Sequence, residues 1–180
     1  TRSDSSAASD VYKRQNKADE NLWPNQPMGV DIAGSIQTVE ATSREDLMDY
    51  LNKQYTSSNT VLVVTGNIDQ KIVVDIAKKS FEGFREGDPL GFKKSTYNSN
   101  GALTVLDKME TNQTHLTLAF KNYSMKDLSR HSSSILSVIL GGGMTSRLFE
   151  QVREKRGLAY SVSSNSHFYS DCGVFYIDAG

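Results

Sequence analysis

Cysteine is almost missing from this sequence: Cys172 is the only one in 180 residues. A single thiol excludes an internal disulfide framework and favours a reducing compartment. No histidine or basic cluster lies near Cys172 to lower its pKa, so it reads as structural rather than nucleophilic. Histidine is scarce too. His115, His131 and His167 have no partner histidine within a helical turn, and neither H-E-x-x-H nor H-x-x-E-H occurs. The short-range His/acid pair His167 with Asp171 straddles a strand end and reads as a surface hairpin. The chain therefore supplies no zinc site by itself. No charge of one sign prevails: the net charge is −1, which leaves no basic footprint for nucleic acid or an anionic membrane. No run approaches the roughly 18 apolar residues of a membrane span. A G-x-S-x-G elbow is also missing.

What is present reads as a string of α/β elements. Thr1–Gln15 is rich in Ser, Asp, Ala, Lys and Arg and has no apolar core. That makes it neither a signal peptide nor a folded element, but a leader that is disordered or foreign to the domain. Asn21–Gly34, punctuated by proline and glycine, reads as an extended loop that Trp23 packs onto the domain. Thr42-Ser43-Arg44-Glu45 has capping-box spacing, and Leu47, Tyr50, Leu51, Gln54 and Tyr55 follow as a core-facing helical stripe. Val61–Val64 suits a strand buried on both faces. Thr65-Gly66-Asn67 breaks it, and Asp69 caps a second helix with Ile72, Val73, Ile76 and Ala77 inward. The turn holds one glycine, so a dinucleotide fingerprint is absent. Glu82–Gly101, with Pro89, has no period and contains the linker.

Beyond it, Leu103–Lys108 and Gln113–Lys121 read as strands, the second alternating Leu116, Leu118 and Phe120 with His115, Thr117 and Ala119. Ser124-Met125-Lys126-Asp127 opens a helix that carries Leu128, Ile135, Leu136 and Ile139 and ends against Gly141. Thr145 or Ser146 caps a further helix, which Gly157 stops. Leu158, Tyr160 and Val162 then alternate as a strand that turns at Ser170–Gly173 into Val174–Ala179. This last strand has nothing after it to cover it, from which a truncated and poorly soluble chain is expected.

The most informative stretch starts at Gly141-Gly142-Gly143. A phosphate cradle is a poor reading, because the run follows a helix and no Lys-Ser/Thr comes after it. A turn that lets an extended peptide approach the backbone fits better. Seven positions apart, Arg153 and Tyr160 flank a helix-to-strand turn. One reading is structural: Arg153, Lys155 and Arg156 offset a helix dipole, and Tyr160 packs beside Leu158 and Val162. The other is functional: two hydrogen-bond donors hold a peptide carbonyl and the charge that grows on it during attack.

The segments Gly-Gly-Gly-Met-Thr-Ser-Arg-Leu-Phe (141–149) and Val-Arg-Glu-Lys-Arg-Gly-Leu-Ala-Tyr-Ser-Val (152–162) closely resemble the insulinase/pitrilysin-like zinc peptidases, which include the mitochondrial processing peptidase. Thr-Ser-Arg-Glu-Asp-Leu (42–47), Gln-Tyr (54–55) and Val-Leu-Val-Val-Thr-Gly-Asn-Ile-Asp (61–69) extend the likeness upstream. The resemblance implies two similar α/β halves, each an antiparallel-rich sheet with helices on one face. Residues 16–84 would end the first half, 85–98 link, and 99–180 begin the second. It implies zinc in the complete protein, held by residues upstream of Asn16, and no metal ligand in this chain. It implies that Arg153 and Tyr160 are the second half's catalytic donors and that Gly141, Gly142 and Gly143 line the substrate chamber. The implied partners are a peptide or unfolded polypeptide and a paired half-domain or second subunit, not nucleic acid or membrane. Some relatives lack the zinc motif and serve as non-catalytic partners, which leaves that alternative open.

Overall fold

A computed structural model describes residues 3–88, 90–98, 101, 103–108 and 113–180; Thr1 and Arg2 of the leader, Pro89, Ser99 and Asn100 of the linker stretch, and residues 102 and 109–112 of the expected second half lie outside the described residues. The chain forms two compact units, one of Thr1–Ile32 with Lys93–Gly180 and the other of Ala33–Phe92.

The first unit is built on a three-stranded antiparallel sheet in the order β1 (Leu116–Asn122), β3 (Gly173–Ala179), β2 (Val162–Phe168). Register pairs Ala119 and Asn165 with Tyr176, and Phe120 and Ser166 with Phe175. Because side chains alternate between faces, Val174 and Tyr176 point to one side and Phe175 and Ile177 to the other. Val174, Phe175 and Tyr176 are all buried, as befits a middle strand covered on both sides. The β2–β3 hairpin closes with Tyr169 N–H donating to Cys172 O at 2.9 Å, and the Asp171 carboxylate accepts from Ser95 N–H at 2.7 Å.

The Tyr176 face carries the core: Trp23, Cys172, Val174 and Tyr176, ringed by Ala18, Leu22, Met28, Tyr97, Ala119 and Tyr169. Trp23 is fully buried, with Tyr97 at 5.5 Å and Tyr169 edge-on at 6.3 Å between ring centroids. Each fully buried large apolar side chain contributes about 1.5–3 kcal/mol. The Tyr97 hydroxyl lies 2.6 Å from Gly173 O and accepts from Gly173 N–H at 2.8 Å, tying residues 93–98 to the sheet. Helix α1 (Ser3–Leu22) ends on this core, where Asp19 accepts a hydrogen bond from the Tyr176 hydroxyl. From Ser3 onward the leader expected over 1–15 as disordered or foreign is helical, not disordered. No glycine or proline interrupts Ser3–Leu22, and the apolar residues that anchor the helix, Ala18 and Leu22, lie beyond the stretch that reads as featureless. Residues 16–32 accordingly pack with the C-terminal sheet, although the resemblance assigns them to the first half.

On the opposite face lies α5 (Arg130–Gly141), packed against β2. It starts at Arg130 rather than near Ser124, because Asp127 captures Ser129 N–H at 2.8 Å in a local turn. The face it buries is made of small residues: Ser133 and Gly141 are buried, and Ser137 is half-buried. Ile135, Leu136, Val138 and Ile139 face outward. Since α5 lies over β2, Leu116, Leu118 and Phe120 of β1 stay largely uncovered on the same side of the sheet.

In the second unit α2 (Ile36–Ala41) and α3 (Arg44–Gln54) each open with a capping box, Ser35 with Thr38 and Ser43 with Asp46. Thr42 ends α2 rather than opening α3. Helix α4 (Gln70–Ser80) starts at Asp69, whose carboxylate accepts from Lys71 N–H at 2.7 Å. The expected inward stripes of α3 and α4 are exposed, Leu47, Tyr50, Ile72 and Ile76 among them. Val61–Val64 and Leu103–Lys108 are not strands, and their apolar side chains face solvent. A β-branched run becomes a strand only when another strand pairs with its backbone, and the described residues offer neither run a partner. The expected linker 85–98 contains the boundary between the units. Arg85 O and Gly87 O are hydrogen-bonded within the second unit, and Ser95 and Asn98 within the first.

Candidate functional site

The glycine run divides into three roles. A Cβ on Gly141 would sit 2.3 Å from Ser164 N, so only glycine lets α5 lie this close to β2. Ser164 Oγ donates to Ser137 O at 2.8 Å across the same contact. Gly142 ends the helix, its N–H donating to Val138 O at 3.1 Å. Gly143 has open space around it. Gly141 and Gly142 are thus held by packing and capping, and Gly143 is the one of the three with open space beside it.

A turn then leads into a π-helical segment, Phe149–Glu154. Lys155 N–H reaches back five residues to Glu150 O at 2.9 Å. Single π-turns of this kind recur at functional sites. The sequence predicts an ordinary helix capped by Thr145 or Ser146; instead the Ser146 hydroxyl is buried and makes no hydrogen bond. Gly157 stops the segment as expected. With φ of +59° it allows Gly157 N–H to reach Arg153 O and Leu158 N–H to reach Val152 O, both at 3.0 Å, which is the Schellman pattern. The chain leaves this turn extended. Tyr160 and Ser161 both donate backbone N–H to Gly180 O, at 2.7 and 3.0 Å, before β2 begins at Val162.

That geometry brings Arg153 and Tyr160 together. The Arg153 Cζ lies 5.2 Å from the centre of the Tyr160 ring and 4.7 Å from that of Phe149. Tyr160 is 76% exposed and does not pack into the sheet with Val162, as the structural reading would have it. Nor does the Arg153 guanidinium serve a tight ion pair: Glu154 Oε1 is 3.8 Å from its Nε. The closer pair is Lys155 Nζ with Glu150 at 2.6 Å, whose hydrogen bond and positive charge hold the Glu150 carboxyl below its ordinary range. A shallow open depression beside Tyr160 is lined by Gln113, Thr114, Gly157, Leu158, Ala159 and Gly180. The sequence reads Phe149 with Leu148 and Val152 as an inward residue of the helix; the signal of its place beside the arginine is an aromatic four positions before it.

Among the described residues no group of three or more His, Cys, Asp or Glu could hold a metal ion, so the donor set does not fit zinc. His167 stacks edge-on against Tyr176 at 5.5 Å, and Asp171 is engaged by Ser95. Cys172 is a buried free thiol whose pKa burial pushes up.

A sequence profile described as "Peptidase M16 inactive domain" matches residues 41–180. A protein of Rickettsia felis described as an uncharacterized zinc protease is 36% identical over 160 residues, covering 88% of this chain and 38% of the relative. The chain thus spans well under half the length of that relative. Among solved structures, a peptidase M16 inactive domain from Pseudomonas fluorescens superposes with a TM-score of 0.76 at 23% identity, over 93% of this chain and 40% of that one. A chain of complex III2 from Candida albicans does so with a TM-score of 0.77 at 16% identity, over 93% and 41%. At these identities the two structures show a shared fold.

Proposed function

This chain belongs to the family described as peptidase M16 inactive domain, and from that premise we propose that it is the part of a zinc-dependent metalloendopeptidase that grips the peptide without holding the metal. The observation that carries the reading is the exposed Arg153–Tyr160 pair, with the guanidinium 5.2 Å from the phenol ring at the rim of a depression. A guanidinium offers five N–H donors in a fixed fork, and a tyrosine hydroxyl offers one. Aimed at one carbonyl oxygen, they bind it in the ground state and bind it more strongly once attack gives it negative charge. Tyr160 spends its backbone N–H on Gly180, so its side chain is the part left for substrate. Gly143, with open space around it, would let an extended peptide pass close to the turn. Zinc, supplied by residues outside this chain in the complete protein, would activate the attacking water; no residue here takes part in that step. The complete protein would act as a dimer or as paired half-domains, with a peptide or unfolded polypeptide between them.

The test is peptidase activity of the full-length protein on an internally quenched peptide. Arg153→Ala or Tyr160→Phe is expected to lower kcat/KM by roughly 10²–10³, the loss typical of one oxyanion donor. Unchanged activity in both variants would remove the role assigned. The family description's word "inactive" favours a second reading, a non-catalytic partner subunit that binds peptide or a catalytic homologue. It is the one supported if full-length protein, analysed for metal, carries no zinc and cleaves nothing alone but gains activity with a zinc-bearing homologue.

A further inference from the structure

Arg153 has two aromatic neighbours, and the reading above uses only Tyr160. The other is Phe149, with its ring centre 4.7 Å from Cζ. We propose that Phe149 is a positioning residue that holds the Arg153 guanidinium beside Tyr160, so that its N–H edge meets a bound carbonyl. The proposal rests on the reading of Arg153 and Tyr160 as peptide-contacting donors.

Three observations carry it. First, Phe149 and Arg153 stand four positions apart in one π-helical segment, a spacing that puts both side chains on one face. Second, Phe149 is half-buried whereas Tyr160 is 76% exposed, so Phe149 is the anchored member of the two rings. Third, Glu154, at 3.8 Å on a neighbouring exposed side chain, is too loose a partner to fix the guanidinium. The chemistry also favours a ring over a carboxylate. A carboxylate would take two of the five N–H donors and neutralise the charge meant for the substrate. An aromatic ring attracts the flat face of the cation and leaves its edge donors free.

The experiment uses the full-length protein with ¹⁵N-labelled arginine and the same quenched peptide. The Arg153 Nε–Hε resonance is assigned by its disappearance in Arg153→Ala. Removing the ring in Phe149→Leu is expected to move that resonance and to lower kcat roughly two- to fivefold, the size of one exposed cation–π contact, at unchanged Tm. Phe149→Tyr, which keeps a ring, is expected to retain both resonance and rate. If Phe149→Leu does not fold, Phe149→Met gives a ring-free side chain of similar volume. An unmoved resonance in the ring-free variant overturns the contact. Full activity of that variant while Arg153→Ala is impaired overturns the positioning role and leaves Arg153 its own. Equal losses in Phe149→Leu and Phe149→Tyr reduce Phe149 to packing. An unimpaired Arg153→Ala variant removes the parent reading, and the positioning role with it.

Discussion

Asp19 sits half-buried beside Tyr176 near the end of α1, and its environment works against its charge. Desolvation raises its pKa above the ordinary carboxylate range, and the Tyr176 hydrogen bond and His167 charge only partly counter that. The same burial, with Asp19 beside it, pushes the Tyr176 hydroxyl far up. The folded chain therefore keeps a proton on Asp19 to higher pH than the unfolded chain does. Its contribution to stability is full below the unfolded value of about 3.9 and falls as pH rises through the folded value. Asp19→Asn keeps an oxygen to accept from Tyr176 and cannot ionise. In urea unfolding at pH 4 and pH 7, the variant is expected to gain on the parent at the higher pH; a constant difference would contradict this account. At this scale the sequence was most readable where the chemistry is local. Arg153 and Tyr160 lie on either side of one turn whose geometry Gly157 sets, so their spacing permits convergence, though on pattern alone it equally suits a packed tyrosine and a helix-end cation. Phe149 was hidden because an aromatic beside Leu148 and Val152 reads equally well as core.

Between elements, the α5–β2 contact shows how a motif can mislead by being conspicuous. The glycine run draws attention as a chamber wall, yet Gly141 is fixed by Ser164 N, a backbone atom that cannot swing aside. Gly141→Ala is expected to destabilise by roughly 1–3 kcal/mol, the range for overpacking a tight contact. Chemical denaturation checks it; a change within 0.5 kcal/mol, about the scatter of surface substitutions, would mean that the helix can slide. The start of α4 was legible because Asp69 caps its own turn, and that of α3 to within one residue at Ser43, whereas α2, capped by Ser35 and Thr38, went unread. Val61–Val64 and Leu103–Lys108 were not, because a strand's existence depends on a partner that no local pattern names. The leader failed for a related reason: α1 is held by Tyr176 and Trp23, far away in sequence or just past the stretch being read.

Across the whole molecule, each unit shows apolar side chains in quantity. Leu116, Leu118, Phe120, Ile135, Val138 and Ile139 are exposed in one, and Leu47, Tyr50, Ile72 and Ile76 in the other. A net charge of −1 offers little repulsion against association. The 180-residue chain is expected to bind ANS and to sediment faster as its concentration rises. Ile135→Glu with Ile139→Glu should reduce both effects, since these residues lie on the outer side of α5 and hold nothing inside. A chain that sediments as a monomer throughout and leaves ANS dark would refute this.

The sheet order has a temporal side. Of the three described strands β3 is the middle one but the last to be made, and β1 and β2 each find their ladder on it. A ribosome releases Trp23 before β1, α5 and β2, and all of them wait for β3. Cys172, Val174 and Tyr176, which enclose the indole, emerge only after these. Closure must then join Trp23 to β3 across β1, α5 and β2, the kind of long-range step that makes folding slow. The one tryptophan is therefore a timer for that step, its emission that of a wet indole until β3 slides between its two neighbours.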